Sequence, residues 1–359
     1  MITEMADFVF IFCLAGLLIL LFCWSFKFLP QERWQIFGTI PRNKRLDGTW
    51  NGVNFTYYGL LTANACILAT MLLFLLLASA GMRTSIIFFV TAMVFSICVP
   101  ASRLIARWVE DKPFTSSVGG AFFVGLLLIP FLLLLIQSLV EPYLMKSWSG
   151  VQLPVMTVLA AIGIAYAFGE GIGRLACISF GCCYGKPVTE LTPFWQKFMK
   201  RFCFIYYGST KKISYADGLD GKRIVPVPAF TVLICCLTGL TGIALFLNDR
   251  QPEAFLLTVW ITQIWRVVSE FLRADYRGNG KITKYQIMAA IGAIYAVGLT
   301  FIFRDAVATN CDIILGLTAL WNPAIILLFQ VLWLAIFFYS GKSKVTEAIL
   351  SFHVIKKHI

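Results

Sequence analysis

About nine stretches of roughly 18 or more predominantly apolar residues, the length a helix needs to cross a bilayer core, run through this sequence of 359 residues. They lie near Asp7 to Phe28, Tyr58 to Ala80, Ser85 to Ile105, Val118 to Val140, Val151 to Phe168, Pro228 to Leu247, Ala254 to Leu272, Gln286 to Phe303 and Cys311 to Tyr339. In hydrocarbon each backbone amide must bond within its own segment, so the pattern predicts an all-α fold, a polytopic transmembrane helical bundle. Composition agrees: with 13% charged and 59% hydrophobic residues the chain is not an ordinary soluble domain, where about a quarter of residues are charged. The first run is too long for a removable signal peptide and no small-residue cleavage site follows it, so it is expected to remain as a helix.

Threading nine helices alternately through the bilayer distributes the basic residues very unevenly. One side receives Arg33, Arg42, Lys44, Arg45, Arg107 and Lys112, the basic residues of 186–226, then Arg273, Arg277, Lys281 and Lys284, and the tail residues Lys342, Lys344, Lys356 and Lys357. The other receives little more than Arg83, Lys146, Arg250 and Arg304. Because positive residues stay on the cytoplasmic face, the carboxyl terminus is expected inside and the amino terminus outside, and the +12 net charge reads as a topology signal. The threading is most vulnerable around Trp321, Asn322 and Pro323. A bacterial inner membrane is the expected location; in a eukaryote, Lys356-Lys357-His358-Ile359 has the form of a dilysine endoplasmic-reticulum retrieval signal.

The longest polar stretch, Lys186 to Pro226, interleaves Trp195, Phe198, Phe202, Tyr206 and Tyr207 with lysine and arginine. Such residues belong at the headgroup level, which predicts an interfacial amphipathic segment over 186–226. Single-stranded nucleic acid is bound by similar residues, but a chain this apolar argues against a nucleic-acid partner. Phosphate loops, HEXXH zinc motifs and GXSXG nucleophile elbows are absent from the sequence.

Ionisable residues inside spanning segments are rare and costly, and two clusters of them stand out. In Phe168-Gly-Glu-Gly-Ile-Gly-Arg174, Glu170 and Arg174 share a helix face, and Gly169, Gly171 and Gly173 permit close backbone approach. In the second cluster Arg266, Glu270 and Arg273 fall on one face. Two helices each offering arginine and glutamate suit the holding of a phosphate while a carboxylate handles a proton. The plain alternative is that these charges neutralise one another and fasten the helices.

Gly173-Arg174-Leu-Ala176, ending in Gly185-Lys186, resembles the signature of the prolipoprotein diacylglyceryl transferase family. Tyr58-Gly59, Ala101-Ser-Arg103-Leu104, Val118-Gly119-Gly120, the segment from Arg266 through Glu270 and Arg273 to Asp275, and Tyr285-Gln286 are similar to further family motifs in the same order. The resemblance runs from about Tyr58 to Phe303. It divides the chain into an added helix and basic loop over 1–57, a family-like membrane domain over 58–303, and an added helix and basic tail over 304–359. The family's catalytic His is Val118 here, and its signature Asn and Glu are Cys177 and Cys182. The family works on the outer face, whereas the charge count puts this motif face inside.

The resemblance implies a membrane transferase that binds an anionic glycerophospholipid such as phosphatidylglycerol and passes its diacylglyceryl or headgroup moiety to an unknown acceptor. Tyr58, Arg174, Arg266 and Arg273 are then substrate-binding candidates, and Glu170 or Glu270 the base. Cys182 or Cys183 is a nucleophile or acceptor-site group. The thiols of Cys177, Cys182 and Cys183 also admit soft-metal binding or inert packing. No cofactor is implied, and no residue is assigned as a metal ligand. Two other classes stay open: a non-catalytic lipid-binding or lipid-translocating protein, and a thiol-based redox or metal-binding membrane protein.

Overall fold

The computed structural model describes residues 2–110, 117–137, 154–275, 282–303 and 310–359. Lys112, Lys146, Arg277, Lys281 and Arg304 of the charge count lie outside the described residues, as do the ends of two expected spans at 138–140 and 151–153. In chain order the helices are α1 (Ile2–Phe28), α2 (Tyr57–Ser79), α3 (Thr84–Glu110), α4 (Val118–Leu135), α5 (Val155–Phe180), α6 (Pro193–Met199), α7 (Lys212–Asp217), α8 (Val227–Leu247), α9 (Gln251–Leu272), α10 (Lys284–Ile302), α11 (Ile313–Leu320) and α12 (Pro323–Gly341). Among the described residues nine of them, all but α6, α7 and α11, are long and apolar enough to cross a membrane. The chain is a polytopic helical membrane protein, and the expected fold class stands.

α5 is the centre of the bundle and packs against α2, α8 and α9. It continues past the expected end at Phe168 to Phe180 and stops where Gly181 adopts a left-handed conformation (φ 70°), which closes the last turn onto the Cys177 carbonyl. Glu170 and Arg174 are therefore helical. Small residues allow the close packing: a Cβ at Gly171 would lie 2.9 Å from the Cys236 sulfur on α8.

Two expectations need correction. The run from Cys311 to Tyr339 is two helices, α11 and α12, not one span. Asn322 caps α12 by accepting from the Ala324 amide at 2.9 Å, and Pro323 occupies the first helical position. That pair favours a helix start, and proline cannot continue the preceding helix. The second correction concerns the basic loop and tail, which form strands β1 (Ile36–Lys44), β2 (Trp50–Thr56) and β5 (Lys342–Leu350) in an antiparallel sheet of order β1-β2-β5. The sequence concealed it because β5 finds its partner almost the whole chain away.

This sheet, the amino ends of α2, α4, α8 and α10, and the carboxyl ends of α5, α9 and α12 share one end of the bundle. The segment from Lys186 to Pro226 lies there too, carrying α6, α7 and a small hairpin of β3 (Phe204–Ile205) with β4 (Arg223–Ile224). Phe194, Trp195, Phe198 and Phe202 are exposed along it, as an interfacial segment requires.

Candidate functional site

Four-residue spacing puts Tyr166, Glu170 and Arg174 on successive turns of α5, facing Arg266 and Glu270 of α9. Arg174 donates to one oxygen of the Glu170 carboxylate. The other oxygen lies 3.0 Å from Nη2 of Arg266, which also donates to the Tyr166 hydroxyl at 3.0 Å. Glu170 thus bridges two guanidiniums contributed by different helices. Arg273, just past the end of α9, makes a two-pronged pair with Asp275, with both N–O distances 2.7 Å, and stands 3.8 Å from Glu270. Each of these ions alone would be expensive in hydrocarbon; together they compensate.

A narrow cleft opens between α5, α9 and the start of α8, lined by Glu170, Arg174, Cys183, Arg266, Glu270 and Arg273. Arg174 and Arg266 each stand six residues before their helix ends, about 9 Å below the basic end of the bundle at 1.5 Å per residue. Among the described residues, Nε of Arg266 and Oε2 of Glu270 in the cleft are buried without a hydrogen-bond partner. A buried donor and a buried acceptor left open on residues of one cleft suit a polar ligand.

The walls hold Arg266 in place. A Cβ at Gly119 would overlap its guanidinium, so the second residue of Val118-Gly119-Gly120 is glycine because the arginine fills that space. Tyr166 is stacked on Phe122 of α4 with ring centroids 3.8 Å apart. At the start of α10, Thr283 and Gln286 form a reciprocal capping box, and the Gln286 side chain also donates to the Val267 carbonyl at 3.1 Å, tying α10 to α9 beside Arg266. Val118, at the family's His position, is half-exposed and is not on the cleft wall.

Cys177, Cys182 and Cys183 bring their sulfurs within 4.8 Å of one another at the end of α5, and among the described residues no disulfide joins any two cysteines. Arg174 Nη1 lies 3.4 Å from the Cys183 sulfur. Donation from the other two thiols, helped by Arg273 and Arg174, pulls the Cys183 pKa well below the usual thiol range, while its thiol neighbours push that of Cys182 up. Behind them Lys211 is fully buried and donates to the carbonyls of Leu29 and Ser179 at 3.2 and 2.6 Å, so one ammonium serves the carboxyl ends of α1 and α5. Burial pushes its pKa down to about 8.

Of the residues singled out in the sequence, Glu170, Arg174, Cys183, Arg266, Glu270 and Arg273 meet at the cleft. Cys182 and Tyr58 are not on its wall; Tyr58 meets Phe180 edge-on with ring centroids 5.7 Å apart. Asp275 and Gly119 entered the sequence reading only as members of motifs, without a site role, and Tyr166 and Lys211 were not singled out. Tyr166 was within reach, since it stands one turn before Glu170 on the same face. Lys211 was not, because a lysine in a basic segment gives no sign of being buried.

The chain was compared with known proteins. The family model for prolipoprotein diacylglyceryl transferase matches residues 49–302. Curated relatives called phosphatidylglycerol--prolipoprotein diacylglyceryl transferase include one from Dehalococcoides mccartyi strain 195, 24% identical over 50% of this chain and 62% of its own length. Another, from Clostridium tetani, is 26% identical over 37% of this chain and 46% of its own. The chain therefore spans between about half and three-fifths of the curated relatives it matches. With the family model covering well over half of its residues, the chain belongs to the prolipoprotein diacylglyceryl transferase family.

Proposed function

We infer that this protein is a phospholipid-dependent membrane transferase that holds the phosphate of phosphatidylglycerol, or a similar anionic glycerophospholipid, between Arg174 and Arg266 and transfers its diacylglyceryl moiety. A prolipoprotein, the acceptor in the relatives' names, is the proposed acceptor. The observation that carries the reading is the convergence of the two arginines on one cleft that retains an unpaired guanidinium nitrogen and an unpaired carboxylate oxygen. Glu170 has both oxygens committed to guanidiniums and acts as their counter-ion. Glu270 keeps one oxygen open and is the better-placed base. The basic end of the bundle is proposed to face the cytoplasm, carboxyl terminus included.

The test is incubation of purified protein with labelled phosphatidylglycerol and a prolipoprotein peptide. Label is expected on the peptide, and Arg266→Lys is expected to lower transfer at least tenfold, since a lysine lacks the planar fork that grips two phosphate oxygens. A wild-type protein that transfers no label under any donor sinks the enzymatic reading. One observation favours a second reading, lipid binding without turnover: valine and two cysteines stand where the family has His, Asn and Glu. Native mass spectrometry showing bound lipid that is never consumed would select it.

A further inference from the structure

We propose that Cys177, Cys182 and Cys183 form a binding site for one thiophilic metal cation, Zn(II) or Cu(I), at the basic end of α5. For three sulfurs no more than 4.8 Å apart there is a point within about 2.8 Å of all of them, and small side-chain rotations close that to the roughly 2.3 Å of a zinc–thiolate bond. Thiolates select soft and borderline ions over magnesium or calcium.

The backbone is bent to make this cluster. Residues one, six and seven of a continuing helix would point in different directions, but here the chain turns back at once. Gly181 adopts a left-handed conformation, the Cys182 amide bonds the Cys177 carbonyl at 3.0 Å, and Cys183 is itself left-handed at φ 58°. A side-chain-bearing residue takes that conformation rarely, and it persists where the surroundings demand it. The result is that both loop thiols fold onto the last turn of α5.

The surroundings suit a metal–thiolate unit. Three thiolates around either ion make a net anion, and Arg174, 3.4 Å from the Cys183 sulfur, supplies a cation. Among the described residues the Tyr206 hydroxyl, which lies within electrostatic range of all three thiols, is buried without a hydrogen-bond partner. Whatever thiol protons remain leave to solvent on binding and no sulfur changes oxidation state, so no redox step is involved. The site is distinct from the proposed phosphate cleft, though Arg174 and Cys183 border both, and its existence does not depend on transferase activity.

The experiment uses the full-length protein purified without added metal and then titrated separately with Zn(II) and Cu(I) against a competing chelator. One equivalent per chain is expected for at least one of the two ions, with at least tenfold weaker binding in each of Cys177→Ser, Cys182→Ser and Cys183→Ser. X-ray absorption on the loaded wild type, which needs no variant to fold, should show three sulfur neighbours. Binding unchanged in the triple serine variant, fewer than three sulfur neighbours, or no stoichiometric binding of either ion would overturn the proposal. So would a disulfide between two of the three cysteines in protein purified under inert gas.

Discussion

α1 and α5 are both apolar helices of spanning length, yet they solve opposite problems. α1 is more apolar than α5 and is little buried; α5 carries Glu170 and Arg174 and is mostly buried. In a bilayer the outside of the protein is as apolar as its interior, so hydropathy does not drive a helix to the centre. What α5 has instead is small residues that let α8 approach and a carboxylate, Glu170, that pairs with Arg266 of α9 as well as with Arg174 of its own helix. A helix that carries buried charge is the one the bundle is built around, and the site follows from that.

The comparison breaks most severely at Glu170. Glu170→Gln leaves two buried guanidiniums without their bridging carboxylate and is expected to cost about 3–5 kcal/mol, read as a lowered unfolding midpoint in detergent. A variant as stable as wild type would mean that the ion bridge is incidental to α5's position.

Gly119→Ala tests the wall on α4. The new methyl must displace the Arg266 guanidinium, with an overpacking cost of about 1–3 kcal/mol and a larger proportional loss of phosphatidylglycerol binding than of stability. Unchanged lipid binding would detach Arg266 from the phosphate role.

Lys211→Met probes the single ammonium shared by α1 and α5. It leaves the Leu29 and Ser179 carbonyls without their donor, a loss of about 1–2 kcal/mol at neutral pH. The pH dependence is separately diagnostic. Burial holds the folded pKa near 8 against an ordinary value of 10.5, so between those values the unfolded chain carries a proton that the folded chain has released. Stability should rise with pH across that window through this group, and Lys211→Met should remove the rise. A chemical unfolding series from pH 7 to about 10.5 reads both effects.

The smallest effect belongs to α1's outer face. Leu20 is 70% exposed, and Leu20→Ala should stay within about 0.5 kcal/mol of wild type. A loss comparable to that of Glu170→Gln would show that α1 is held by contacts its exposure does not reveal.

The sequence by itself determined the fold class, most span boundaries and the pairing of charges along each helix, because these depend on interactions between residues a few positions apart. Apolar length dictates a span, and spacing of three or four dictates a shared face, as with Glu170 and Arg174 or Arg266 and Glu270. The order of motifs in the sequence also carried the family. Tertiary structure decided the rest. It bridged Glu170 to Arg266 across 96 positions of sequence, folded Cys182 and Cys183 back onto Cys177, buried Lys211 inside a basic segment, and paired β2 with a strand near the other end of the chain. Each of these is a contact between distant segments whose partner no local pattern names: a lysine, a thiol or a short strand has the same sequence appearance buried or exposed, and only the packed chain fixes which it is.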